Sequence, residues 1–233
     1  MIFESKLIPG TLIKRYKRFF VDVKTKGKVF TTHCPNTGSM MGLLKTGNKV
    51  YFTENNNPKR KLKYTLQIIK DGKVNVGVNT HITNKIFEEA LLNNLIFEYK
   101  NFDNLSREVK FTKDTRFDFL LEKDNQKTFI EVKNVTLSRK KNYAEFPDAV
   151  TSRGLKHIKK LIEAKKRGFE ICLVFVVQRE DCKYMEIAKD IDKEYFELLT
   201  IAKKNNLKII SYDCKFNSKG INIGKKLKFN LYD

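Results

Sequence analysis

Nothing in this 233-residue chain combines the length and apolarity of a membrane span, which excludes a transmembrane helix. The opening Met1-Ile-Phe-Glu-Ser-Lys lacks the apolar core of a signal peptide, and a cytoplasmic location is expected. Cysteine is sparse: Cys34, Cys172, Cys182 and Cys214 are scattered, with no Cys-x-x-Cys pair. That spacing argues against a zinc ribbon or a disulfide framework and leaves reduced, structural thiols. With three histidines in all, the adjoining His33-Cys34 pair is a poor basis for a soft-metal centre. Arginine is scarce too, supplying nine of the 47 basic residues. Lysine supplies the rest, and Asn and Ile are abundant, the bias that AT-rich coding imposes on any protein.

What the chain does have is charge of one sign. A formal net charge of +20 predicts attraction to polyanions, meaning nucleic acid or an anionic membrane surface, although part of it is compositional background. The length suffices for a real core in one large or two small domains.

Organisation changes near residue 80. Before it, short alternating segments read as strands: Phe19 to Lys24, Val29 to His33, Lys49 to Thr53, then a hairpin of Tyr64 to Lys70 and Lys73 to Val78 turning at Asp71-Gly72. Five or so strands in under eighty residues suit a small β-barrel of the oligonucleotide-binding (OB) kind, or another small β-domain. After residue 80 the pattern is mixed, and the whole is α+β. A helix capped by Thr80 or Thr83 runs to Asn93-Asn94. Strands follow at Arg107 to Phe111, Arg116 to Glu122 and Lys127 to Val135. A long helix from about Pro147 to Gly168, an apolar strand Ile171 to Gln178, a helix Lys193 to Asn205 and a strand Leu207 to Tyr212 complete it. The expected domains are 1–80 and 81–233.

Two neighbouring strands carry the chemistry. Asp118 projects from one, while Glu131 and Lys133 share a face of the next. Two carboxylates suit a hard cation such as Mg²⁺ or Mn²⁺, and an ammonium beside them can orient water or offset phosphate charge. Cross-strand ion pairs on a solvated face would look the same, but the flanking Phe117, Phe119, Leu120, Leu121, Phe129, Ile130 and Val132 mark buried strands, where unpaired charge is costly. The element order, helix, three strands, helix, strand, is that of the restriction-endonuclease-like core with its PD-(D/E)xK site. Here Phe117 stands where that motif has Pro.

Longer strings extend the comparison: Arg15-Tyr-Lys-Arg18-Phe, His33-Cys-Pro-Asn36-Thr-Gly38-Ser-Met, Gly77-Val-Asn79-Thr, Glu89-Ala90, Arg116-Phe-Asp118-Phe, Glu131-Val-Lys133-Asn-Val-Thr136-Leu, Phe146-Pro-Asp148-Ala-Val-Thr151-x-Arg153-Gly-x-Lys156-His157 and Phe175-Val-Val-Gln178-Arg179. In this order, over nearly the whole chain, they resemble the sugar fermentation stimulation protein A family. The resemblance implies an OB-like domain joined to a mixed-sheet nuclease-like domain, with nucleic acid as partner, DNA rather than RNA. A non-catalytic DNA-binding regulator of sugar metabolism genes is the alternative to a metal-dependent phosphodiesterase. Asp118 and Glu131 are then expected to hold Mg²⁺ or Mn²⁺ with Glu89 as an extra ligand and Glu108 a lesser candidate. Lys133 would act on water, and Gln178 would reach the lysine or a phosphate. Arg153, Lys156 and His157, with Asp148 and Thr151, are expected to grip phosphate at a helix start. Arg15, Tyr16, Lys17 and Arg18 interleave charge and aromatic rings, as either a nucleic-acid contact or an amphipathic strand. Asn36 to Met40 suits phosphate or an interdomain contact.

Overall fold

The computed structural model describes residues 1–231. Residues 8–77 form a barrel from strands β1 (Ile8–Tyr16), β2 (Phe20–Thr25), β3 (Lys28–His33), β4 (Lys49–Glu54), β5 (Tyr64–Asp71) and β6 (Val74–Gly77). The hydrogen-bonded order is β3-β2-β1-β4-β5-β6, and a single parallel pairing of His33 with Thr65 closes the first five strands. Leu12, Val21, Phe52, Leu66 and Ile69 fill the interior. Strand β1 lies outside the strands expected from sequence. Its run is broken by Pro9 and Gly10, and at Gly10 a Cβ would crowd both Lys24 O and the Phe52 ring at 3.1 Å.

A 3-10 turn at Thr80–Ile82 leads into α1 (Thr83–Leu92), followed by β7 (Asn104–Thr112), β8 (Thr115–Lys123), β9 (Gln126–Val135), β10 (Leu137–Lys140) and β11 (Tyr143–Phe146). Then come α2 (Ser152–Lys166), β12 (Glu170–Val177), β13 (Tyr184–Ile187), α3 (Lys193–Lys204), β14 (Lys208–Phe216), β15 (Ile221–Lys226) and β16 (Lys228–Asn230). The main sheet has the order β15-β14-β12-β9-β8-β7. Strands β7, β8 and β9 are antiparallel, whereas β9, β12 and β14 are parallel. A second sheet, β10-β11-β13-β16, was not anticipated, since four-residue strands carry too few alternations to read.

Helix α1 packs on one face of the main sheet through Ile86, Phe87, Ala90 and Leu91. Helices α2 and α3 cover the other with Leu155, Ile158, Leu161, Tyr195 and Leu199. The long helix begins at Ser152, capped by the Thr151 hydroxyl accepting from Gly154 N–H, and not at Pro147. The intervening loop does other work. Asp148 accepts from Met40 N–H at 2.9 Å, and its own carbonyl accepts from the Ser39 hydroxyl at 2.7 Å, tying the barrel to this sheet layer. Gly38 permits the approach, since a Cβ there would lie 2.5 Å from the Asp148 carboxylate. The Asn36–Met40 loop is thus an interdomain contact.

A second seam lies at the β5–β6 hairpin. Gly77 N–H donates to Gln178 O at 2.8 Å, and the buried Arg179 guanidinium pairs with Asp71 and Asp181, each at 2.9 Å.

Candidate metal centre

The site is built where a strand pair comes apart. The β8–β9 ladder ends at Phe119 opposite Ile130, and the next inward N–H of β9, on Val132, donates instead to Asp118 Oδ2 at 2.7 Å. On the other side, the pairs Arg107–Phe119 and Val109–Phe117 leave Asp118 opposite Glu108, an exposed residue with a left-handed φ of 49°. The irregularity splits the neighbours of Asp118: Phe117 joins the core under α2 and α3, and Phe119 the core under α1. Asp118 Oδ1 accepts from Asn84 Nδ2 in the first turn of α1, at 2.7 Å.

Glu131 and Lys133 emerge one strand over, towards α2. Glu131 is only 2% exposed. Its Oε1 accepts from Lys133 Nζ at 2.7 Å and is in contact with His157 Nδ1 on α2. Its Oε2 is buried and has no hydrogen-bond partner. Burial alone would push the Glu131 carboxyl up, yet the Lys133 ammonium and His157 outweigh it and hold the group below the usual range. Asp118 goes the other way: burial, then the charge of Glu131, raises it to about 6 despite its two hydrogen-bond donors. One carboxylate is compensated, and its neighbour keeps its proton to a higher pH than usual, where a cation would compete for the site. Tyr195, from α3, has a fully buried hydroxyl without a partner, raised well above its ordinary value by burial and then by Glu131.

Structure and sequence agree on bringing Asp118, Glu131 and Lys133 together. Three expectations need correction. Glu89 faces away, its carboxylate 2.5 Å from the Met1 amino group. The acid on the Asn84 stripe, one turn along α1, is Glu88, and Arg107 takes its charge. Gln178 reaches neither Lys133 nor open solvent. Its Nε2 donates to Asn134 Oδ1 at 2.6 Å and Thr83 Oγ1 at 3.1 Å on the α1 face of the sheet, opposite Lys133. His157 is buried against Glu131 and Lys133, away from the exposed Arg153 and Lys156 that were grouped with it. Its position was legible, because it shares the inward stripe of Gly154, Ile158 and Leu161. Lys156 pairs with Asp114 at 2.7 Å. No sequence signal marked Asn84.

In the barrel, Arg15 is committed to structure. Its guanidinium donates to the carbonyls of Asn36 at 2.7 Å, Gly38 at 2.9 Å and Arg18 at 2.7 Å, holding the interdomain loop. Tyr16 stacks on Phe20 and donates to Asp22. Lys17 and Arg18 form the exposed left-handed tip of the β1–β2 hairpin. His33 and Cys34 part company: Cys34 is sealed in the barrel core, its thiol pushed up to about 11 by burial, whereas His33 points outward. Among the described residues, no three His, Cys, Asp or Glu side chains group as a ready metal cage. Between the domains, a cleft of about 250 Å³ adjoins the end of β9, lined by Gly38, Asn134, Thr136, Glu145, Asp148 and Thr151.

Comparison with known proteins agrees with this architecture. Residues 13–78 match the SfsA N-terminal OB domain, and residues 81–220 match the sugar fermentation stimulation protein RE domain. A sugar fermentation stimulation protein homolog of Pelagibacter ubique is 59% identical over 228 residues, covering 98% of each chain. One from Maricaulis maris is 39% identical over 99% of each. The solved structure of Pyrococcus furiosus SfsA in complex with Ca²⁺ superposes with a TM-score of 0.89 at 25% identity, covering 99% of this chain and 98% of that one.

Proposed function

Because the chain belongs to the sugar fermentation stimulation protein family, we propose that it is a nucleic-acid-binding protein with a divalent-metal phosphodiesterase centre, acting on DNA. The observation that carries this reading is the buried, partnerless Oε2 of Glu131 beside Asp118, whose carboxyl is raised by burial and by Glu131 itself. A buried acceptor without a donor is costly, and a hard cation satisfies it. The Ca²⁺ of the Pyrococcus furiosus protein is a cation of that class.

Asp118 and Glu131 would hold Mg²⁺ or Mn²⁺ together with the Val132 carbonyl. When bound, the ion supplies Lewis acidity and charge neutralisation at a phosphate. The remaining roles fall to the chain's own groups. Asn84 and the Val132 N–H fix the Asp118 carboxylate. Lys133, 2.7 Å from Glu131, is placed to orient or deprotonate water and to offset charge on the phosphate. His157, 3.3 Å from Lys133 Nζ, fixes where the ammonium points. Lys17, Arg18, Arg153 and Lys156 lie exposed for phosphate contact.

The test is incubation of the pure protein with labelled single- and double-stranded DNA and RNA in Mg²⁺, Mn²⁺ or EDTA. Cleavage that needs metal and disappears in both Asp118→Ala and Lys133→Ala is expected. Salt-sensitive binding with no cleavage in any metal would replace the enzyme with a binding regulator that keeps the fold.

A further inference from the structure

Strand β5 is buried on both sides, which is unusual for a small barrel. Its inward residues Leu66 and Ile69 fill the interior, while Thr65 and Gln67 lie on the outer side, also buried. That outer side is roofed by the N-terminal segment and the turn into α1, and between them is a cavity of about 490 Å³, the size of a small-molecule site. Its floor is polar: Gln67 Nε2 donates to Thr53 Oγ1 and Asn79 Nδ2 to Gln67 Oε1, both at 2.9 Å. Polar groups are rarely buried like this without use, and one is left over. The Thr65 hydroxyl, in a residue 7% exposed, has no partner.

The walls are cationic. His33 and His81, two of the three histidines, face each other with ring centroids 6.4 Å apart. Arg60 Nη2 lies 3.3 Å from His33 Nδ1. Arginine only donates, so that nitrogen accepts and the imidazole is neutral, its free N–H at Nε2. Lys85 lines the same space. Of the other charges there, the Met1 amino group is paired with Glu89, leaving the single carboxylate of Glu4 against Arg60 and Lys85. Burial, Arg60 and His81 together hold His33 below its usual range, as an excess of positive charge requires.

We propose that this cavity binds a phosphomonoester, either a free nucleotide or the phosphorylated end of a strand, with Arg60, His33, His81 and Lys85 on the phosphate and Thr65 donating to it. Phosphate supplies several acceptors to a pocket of unmatched donors, and charge-assisted bonds of this kind are the strong ones. Phe19, 40% exposed at the rim beside His33 and next to the Lys17–Arg18 tip, gives an adjoining base a ring to rest on.

Calorimetric titration in EDTA tests the cavity without engaging the metal centre. Adenosine 5′-monophosphate should bind and adenosine should not. Arg60→Gln and Thr65→Val should each weaken binding about tenfold or more, while Asp118→Asn leaves it unchanged. A 5′-phosphorylated oligonucleotide that binds more tightly than the nucleotide, and more tightly than its 5′-hydroxyl form, identifies a strand end; the reverse order identifies free nucleotide. Equal binding of adenosine and its phosphate, no binding at millimolar nucleotide, or an Arg60→Gln protein, folded by circular dichroism, that binds like the unmutated chain would overturn the proposal. Since cleavage is not read, this failure is separable from failure of the metal centre.

Discussion

Two buried polar sites in this molecule have opposite deficits. Between β8, β9 and α2, carboxylate oxygen outnumbers the donors that reach it, and Glu131 Oε2 is left over. On the outer side of β5 the cations Arg60 and Lys85 outnumber the one carboxylate, Glu4, and the Thr65 hydroxyl is left over. A third cluster, Arg179 with Asp71, Asp181 and the Thr136 carbonyl, is balanced, and it joins the domains. The balanced cluster holds structure, while at the other two a ligand of the opposite character would complete the bonding.

The comparison is broken most severely at the acidic site. Lys133→Met should lower metal-dependent cleavage by about two to four orders of magnitude, the range for a positioned proton-transfer group, with binding measured in Ca²⁺ little changed. The balanced cluster should show the opposite profile. Arg179→Met strands Asp71 and Asp181 and should cost about 3 kcal/mol in urea unfolding, discounted because both partners are partly exposed, while melting still yields a metal response.

A smaller effect separates proton from metal at Asp118. Its carboxyl is raised to about 6 in the folded chain. The folded state therefore holds a proton that the unfolded state has released, and stability is lost as pH rises through that interval. In EDTA, Asp118→Asn should leave stability near pH 4 almost unchanged and raise the melting temperature at pH 7 by roughly 5–10 °C. Mg²⁺ should stabilise the unmutated protein but not the variant. The smallest change is at the surface. Lys17→Ala and Arg18→Ala should each reduce the salt dependence of nucleic-acid binding by about one unit of slope, across all sequences alike.

Much of this could be read from residue order. The alternating Thr115–Lys123 and Gln126–Val135 strands placed Asp118, Glu131 and Lys133 together, because strand period and adjacency are local properties. The positions of Glu89 and Gln178 are not local properties. One residue of rotation on α1 exchanges Glu89 for Glu88, and the face on which Gln178 lies depends on the parallel pairing of β12 with β9, a long-range fact. Residue order leaves Arg15 open between a nucleic-acid contact and a strand residue, because its carbonyl partners at residues 36–39 are distant in sequence. The β5 cavity was invisible, since Thr65 and Gln67 read as the solvent side of a strand until the N-terminal segment covers them.

The Val132 N–H bond to Asp118 bears on how such chains change over generations. Asp118 occupies the place of a main-chain acceptor at the end of the β8–β9 ladder, so selection for a well-formed sheet would retain an acceptor there after any chemistry had gone. Lys133 has a different obligation, the charge of the buried Glu131, so it is released only together with that carboxylate. In a lineage that kept binding and abandoned cutting, Glu131 and Lys133 would be replaced together by apolar residues while the Asp118 acceptor stayed.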